Sequence, residues 1–200
     1  MDEKKSYSKK RDFDQTPEPQ SESSGDGSSD KDPIFVIQKH DSSNLHYDLR
    51  LEINGTLKSW AVPKGPSADP MDKRLAIPTE DHPMEYADFE GVIPEDQYGG
   101  GTVMIWDKGT YKNIKTENDE PVAMEECYEG GEIEVSLNGE KISGGYALVH
   151  TGGGNSKDDK WLLIKMDDDK ADARRNPTST ENNSVQSGRD LDQIKEEESE

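Results

Sequence analysis

Residues 46–53, His-Tyr-Asp-Leu-Arg-Leu-Glu-Ile, alternate strictly between polar and apolar, and Asn54-Gly55 follows at once. Successive side chains of a β-strand point to opposite faces, so one face carries His46, Asp48, Arg50 and Glu52. The other carries Tyr47, Leu49, Leu51 and Ile53. Asn-Gly after such a run is the strongest short hairpin signal, and residues 56–62 return as the partner strand. A two-residue turn sets the register. With Ile53 opposite Thr56, Leu49 faces Trp60, Asp48 faces Ala61 and Arg50 faces Ser59. Large side chains meet on the apolar face; on the polar face, functional groups meet small ones and leave room for a ligand.

A face that only needed to be wet would use Lys, Thr and Glu. Imidazole, carboxylate and guanidinium in a row instead supply two kinds of metal ligand and a clamp for phosphate. Upstream, residues 34–39 form an apolar strand, and Asp41-Ser42-Ser43-Asn44 has turn chemistry. A three-residue turn sets His40 directly opposite His46, with Cβ atoms roughly 4.5–5.5 Å apart, and Gln38 opposite Asp48. Two imidazoles then converge where one ion could lie. A metal-assisted phosphoesterase is the leading expectation.

The rest of the chain extends the same pattern. Strands are expected at residues 74–77, 132–137, 146–150 and 160–166, with a hairpin pairing 102–106 with 111–112 and a tight turn at Asn138-Gly139. Glu80-Asp81-His82-Pro83 and residues 89–101 have loop composition. One short helix is expected over residues 121–128, opened by proline and ended before Gly130-Gly131. The fold class is therefore mainly β: a small antiparallel barrel of about eight strands with one or two short helices and disordered termini. Nearly all Ile, Val, Leu and Trp fall between Pro33 and Met166, which defines the domain as 33–166. Residues 1–32 are expected to be a flexible arm and Ser/Gly linker, and 167–200 an acidic disordered tail.

A net charge of −20 excludes a general polyanion binder, because such affinity rests on Lys and Arg neutralising phosphates. An enzyme acting on a single strand end needs only a local positive spot, which an ion can supply. The single Cys127 excludes an internal disulfide, fits a reducing compartment and sits among Glu residues that disfavour its thiolate. No stretch reads as a leader or membrane span, so a cytoplasmic protein with no membrane partner is expected.

Several motifs resemble one known family. They are Phe35-Val36-Ile37-Gln38-Lys39-His40, Leu45-His46-Tyr47-Asp48-Leu49-Arg50-Leu51-Glu52, and Ser59-Trp60-Ala61-Val62-Pro63-Lys64-Gly65-Pro66-Ser67. Glu80-Asp81-His82-Pro83-Met84-Glu85-Tyr86, residues 89–94, Tyr98-Gly99-Gly100-Gly101, Trp106-Asp107-Lys108-Gly109 and residues 161–165 continue in order. Together with Arg11-Asp12-Phe13 and Thr16-Pro17-Glu18-Pro19, they look like the 3′-phosphoesterase domain of bacterial DNA ligase D, here as a free-standing member. The resemblance implies a manganese enzyme that removes a 3′-terminal ribonucleoside and then the 3′-phosphate, leaving a 3′-hydroxyl on DNA or primer strands for a separate ligase or polymerase. It implies His40, His46 and Asp48 as metal ligands, with Arg50, His82 and Tyr86 at the scissile phosphate. Gln38, Lys64 and Arg74 become supporting substrate-binding residues, and Asp12 and Glu18 match acidic positions of an arm that folds over the site.

Each of these residues also has an ordinary explanation. Arg50 could pair with Glu52, a loop His82 is ordinarily inert, and Tyr86 is more often a core ring. His150 has no supporting pattern and reads as structural or exposed, and residues 99–101 do not follow a phosphate-loop spacing. Two rival functions also remain at this level: a non-catalytic module that binds nucleic-acid ends and recruits repair enzymes, and a hydrolase of small phosphorylated metabolites.

Overall fold

The computed structural model describes residues 4–20, 31–152 and 159–198. The expected Ser/Gly linker at 21–30 lies outside the described residues. Eleven strands occur among them: β1 (Ile34–Asp41), β2 (Leu45–Ile53), β3 (Thr56–Val62), β4 (Lys73–His82), β5 (Gly91–Ile93), β6 (Gly101–Asn113), β7 (Thr116–Glu117), β8 (Glu120–Pro121), β9 (Glu132–Gly139), β10 (Ser143–His150) and β11 (Trp161–Lys165). Eight of them close a barrel in the order β1-β2-β3-β4-β11-β10-β9-β6, sealed by pairing of β6 with β1. Every pairing is antiparallel. β5 lies beside the first residues of β6, and β7 and β8 form a separate small hairpin.

The register around β2 is the one expected. His40 faces His46, Gln38 faces Asp48, and across β3 Arg50 faces Ser59 while Leu49 faces Trp60. Tyr47, Leu49, Leu51 and Ile53 of β2 fill the barrel with Phe35, Ile37, Trp60, Trp106 and Tyr146. A second apolar cluster lies on the outer side of the same wall, where Tyr7, Val36, Leu57, Tyr86, Phe89 and Ile105 pack together. Asp48 and Arg50 therefore become buried on the outside of the barrel. The arm, β5 and a 3₁₀ turn (Met84–Asp88) cover them.

Several elements differ from the sequence expectation. The hairpin placed around 107–110 is one continuous 13-residue strand, β6. Gly109 lies opposite Gly139, and any Cβ there would collide with the Asn138 carbonyl, so glycine serves close strand approach and not a turn. Asn138-Gly139 is no two-residue turn either, since Asn138 pairs with Ser143. Asp107 shapes that bend by accepting the backbone N–H groups of Glu140, Lys141 and Ile142. The helix expected at 121–128 begins later, as α2 (Met124–Gly130), and residues 80–82 belong to β4.

The chain ends are more ordered than their composition suggests. Helix α1 (Lys4–Lys9) packs on β4, burying Tyr7. The tail forms α3 (Pro177–Thr180) and α4 (Leu191–Glu198) and runs along the barrel. Its polar ties are isolated: Trp106 Nε1–H donates to the Glu181 carbonyl, the Val185 N–H to Ile105, and the Ser184 hydroxyl and Arg189 to Glu90, while Val185 and Leu191 pack against the two apolar clusters. Ile194 is fully inserted, at 0% exposure. Ile194→Ala is expected to cost about 2–4 kcal/mol, and an unchanged urea midpoint would show that the tail contributes nothing to stability. No helix among the described residues is long and apolar enough to cross a membrane.

Candidate metal and phosphate site

Three ligand-type side chains converge where β1 and β2 pair. One potential donor atom from each of His40, His46 and Asp48 lies within 4.8 Å of the others. His40 Nδ1 is 3.5 Å from Asp48 Oδ2, and His46 Nε2 is 3.5 Å from Asp48 Oδ1. The imidazole of His46 is oriented by the Asn44 carbonyl, 2.9 Å from Nδ1. A carbonyl only accepts, so Nδ1 carries the hydrogen and Nε2 turns a bare lone pair toward the carboxylate. His40 Nε2 is buried with no hydrogen-bond partner.

Lone pairs facing a carboxylate repel unless a proton or a cation lies between them. Burial and that carboxylate act in opposite directions on His46: burial lowers its pKa, while Asp48 and the Asn44 carbonyl prevail and raise it. Burial likewise opposes ionisation of Asp48, yet Arg50 and the two imidazoles hold its carboxyl well below the usual range. The cluster thus carries a fixed negative charge between two imidazoles, one of which, His40, also has a buried Nε2 with no partner. Two imidazoles and one carboxylate suit a divalent transition ion and leave coordination positions open.

Arg50 links this cluster to the groups behind it. Its Nε donates to Gln38 Oε1 at 2.6 Å, its Nη1 to Ser59 Oγ at 2.9 Å, and its Nη2 reaches Asp48 Oδ2 at 3.5 Å. His82 Nδ1 lies 3.0 Å from Arg50 Nη1 and 2.8 Å from the Glu80 carbonyl. The guanidinium also stands 4.7 Å from the Tyr86 ring. Gln38 is wholly buried and serves from below: its amide donates to the carbonyls of Tyr86 and Phe89, both at 3.0 Å.

A β-bulge brings His82 to this face. Between the pairs Leu57–His82 and Ser59–Thr79, β4 carries one residue more than β3. An inserted residue re-aims side chains, so Thr79 and His82 both face the Arg50 side although three positions apart. Burial, then the cations Arg50 and Arg11, push the His82 pKa well below its ordinary value, so the ring is neutral. Burial raises Tyr86 far above the usual phenol range, keeping its hydroxyl protonated.

The arm closes the other side. Arg11 donates to Glu18 at 2.8 Å and to Glu80 at 2.7 Å, and its guanidinium stacks 3.8 Å from the Tyr7 ring. Tyr7 in turn lies 5.2 Å from His82 and donates its hydroxyl to the Pro19 carbonyl. The result is a cleft of about 300 Å³ whose lining includes Arg11, Glu18, His40, Asp48, Arg50 and His82. Tyr86 also lines it, as do His46, Glu80 and Tyr98.

Of the sequence candidates, His40, His46, Asp48, Arg50, His82, Tyr86 and Glu18 meet in this cleft, with Gln38 directly behind it. Asp12 does not join them: it is exposed and its carboxylate accepts the Asp14 N–H. Lys64 and Arg74 line a different groove. Sequence reasoning missed Arg11, Glu80, Tyr7 and Ser59. Ser59 was visible only as the small partner of Arg50, and the others meet the site through contacts distant in sequence.

Comparison with known proteins places the chain in a family. Positions 38–150 match the family described as the DNA ligase D 3′-phosphoesterase domain. The chain is 48% identical over 165 residues to the multifunctional non-homologous end joining protein LigD of Pseudomonas aeruginosa. It is 44% identical over 167 residues to the multifunctional non-homologous end joining DNA repair protein LigD of Mycobacterium tuberculosis. These alignments cover 82% of this chain but only 19% and 20% of the two relatives, so the chain spans about a fifth of their length.

Proposed function

Because the chain belongs to the DNA ligase D 3′-phosphoesterase family, we propose that it heals 3′ ends during end-joining repair. In this proposal it releases a 3′-terminal ribonucleoside and then the remaining 3′-phosphate. The 3′-hydroxyl left behind is an end that a ligase or polymerase can use. The single observation that carries the proposal is that His40, His46 and Asp48 adjoin Arg50, with His82 behind it, on one covered face.

His40, His46 and Asp48 would hold a divalent ion such as Mn²⁺, which would supply Lewis acidity toward a phosphate oxygen and acidify water. The protein's own groups do the rest. Arg50 is pinned by Gln38 and Ser59 before substrate arrives, so its charge meets the phosphate without reorganisation. The Glu80 carbonyl accepts and the Arg50 guanidinium donates, both at His82 Nδ1, so the ring has a partner there in either tautomer. In the tautomer whose Nδ1 accepts from Arg50, Nε2–H is free to donate a hydrogen bond to the phosphate or to the departing oxygen. That oxygen is the nucleoside 5′-oxygen first and the strand's 3′-oxygen in the second step, and it takes its proton from water. Burial and the neighbouring Arg50 and Arg11 keep His82 neutral, so it acts as a hydrogen-bond donor and not as a source of the leaving group's proton. The protonated Tyr86 hydroxyl adds a donor on the same side.

The test is a 5′-labelled primer–template ending in one ribonucleotide, incubated with Mn²⁺ and resolved over time. A ladder passing from ribonucleotide end to 3′-phosphate to 3′-hydroxyl is expected. An unchanged band with saturable binding would replace the enzyme with a non-catalytic end-binding module.

A further inference from the structure

The wall that carries the metal cluster continues, uncovered, past β3. Opposed residues of antiparallel strands share a face, so the row through Asp48, Ala61 and Ile77 lies on the outside of the barrel. Neighbouring strands are about 4.8 Å apart, which sets Ile77 roughly 10 Å from Asp48. One step further, Leu75 lies beside Leu162 of β11. Leu75 and Ile77 are 39% and 40% exposed on this open face. Met71, 85% exposed, precedes the same strand.

Cations border this strip. Lys64, Lys73 and Arg74 line a groove of about 280 Å³ together with Leu75 and one acid, Asp72, so cations outnumber acids there three to one. Lys64 and Lys73 are exposed and form no ion pair among the described residues. Arg74 is only partly engaged: its Nη2 donates to Asp72, while its Nε is buried with no partner. In a chain of net charge −20, three cations on one groove beside exposed aliphatic residues form a surface of specific chemistry. Leu, Ile and Met flanked by Lys and Arg is the combination that packs on minor-groove sugars and base edges while phosphates meet the cations.

We infer that the duplex behind the processed 3′ end lies across the β3–β4–β11 face. Its minor groove rests on Leu75 and Ile77, and its phosphates meet Lys64, Lys73 and Arg74. This rests on the proposed end-healing function, and it assigns Lys64 and Arg74 to duplex docking, apart from the reacting phosphate. The charge complementarity and the unbroken sheet face leading to Asp48 commit the strip to nucleic acid and not to a second copy of the chain.

The experiment uses the full chain, a fluorescent primer–template with a 3′-hydroxyl end, and EDTA, so that binding is read without reaction. The Leu75→Ser/Ile77→Ser double variant and Lys73→Ala are each expected to weaken duplex binding by about tenfold. Affinity for the same primer as a single strand should change far less, so the duplex preference collapses. Lys73→Ala should also lower the slope of log affinity against log salt by about 1. Unchanged duplex affinity in both variants overturns the inference. So does sedimentation showing a wild-type dimer that the double variant dissociates, which gives the strip to self-association. A wild type that binds duplex through these residues yet releases no nucleoside or phosphate sinks the proposed activity and leaves the docking surface standing.

Discussion

Asp48→Asn is expected to remove more than about a hundredfold of the phosphate-releasing activity, exceeding the 10–100-fold typical of groups that merely support a metal ligand. The substitution keeps the shape and takes away the charge. In the wild type that charge faces His46 Nε2 and His40 Nδ1, each at 3.5 Å, and is held ionised despite burial. An amide in its place offers one neutral oxygen, and its NH₂ group competes for the imidazole lone pairs. A readout independent of turnover separates loss of the ion from misfolding. At Mn²⁺ a hundred times above its dissociation constant, the wild type should gain about 2.7 kcal/mol of stability, seen as a rise in Tm. The variant should show no such rise while still melting cooperatively. Equal Mn²⁺-induced shifts in both proteins would remove Asp48 from the metal site.

The site was legible in the sequence where it rests on local periodicity and opaque where it rests on tertiary insertions. Alternation along residues 46–53 and the Asn54-Gly55 turn set the β2–β3 register, and with it the Asp48–Ala61 and Arg50–Ser59 pairs. The facing of His40 and His46 followed from a turn of ordinary length. Nothing in Glu80-Asp81-His82-Pro83 announces a bulge, because one inserted residue leaves no compositional trace, and so His82 looked like a loop residue. Family resemblance, not pattern, picked it out. Arg11 and Glu80 meet across 69 positions, a distance at which charge pairing cannot be read from spacing. The tail misled for a related reason. It is held by carbonyls, hydroxyls and a few scattered apolar residues (Pro177, Val185, Leu191 and Ile194), too sparse to read as a periodic face, although residues 191–198 still form a helix. Gly109 carried the opposite error: a residue that usually marks a turn here permits two strands to approach.

Arg50→Lys tests whether geometry or charge matters beside the metal cluster. The guanidinium spends separate N–H groups in three directions, on Gln38 at 2.6 Å, on Ser59 at 2.9 Å and toward Asp48 at 3.5 Å, while its face lies over Tyr86. An ammonium is a single point with no planar fork. Reaching toward Asp48 and the phosphate, it abandons Gln38, whose Oε1 is then buried without a donor. Activity should fall by about 10²–10³ in kcat, the range for loss of a preorganised transition-state donor. Folding stability should fall by about 1–3 kcal/mol for the orphaned acceptor. Gln38→Leu provides the contrast, because it keeps the guanidinium and removes only its tether and the two ties to Tyr86 and Phe89. It should lose stability comparably but retain more of kcat than Arg50→Lys. If Lys at position 50 instead supports wild-type turnover of both nucleoside and phosphate, positive charge alone suffices at this position and the fork is only a packing device.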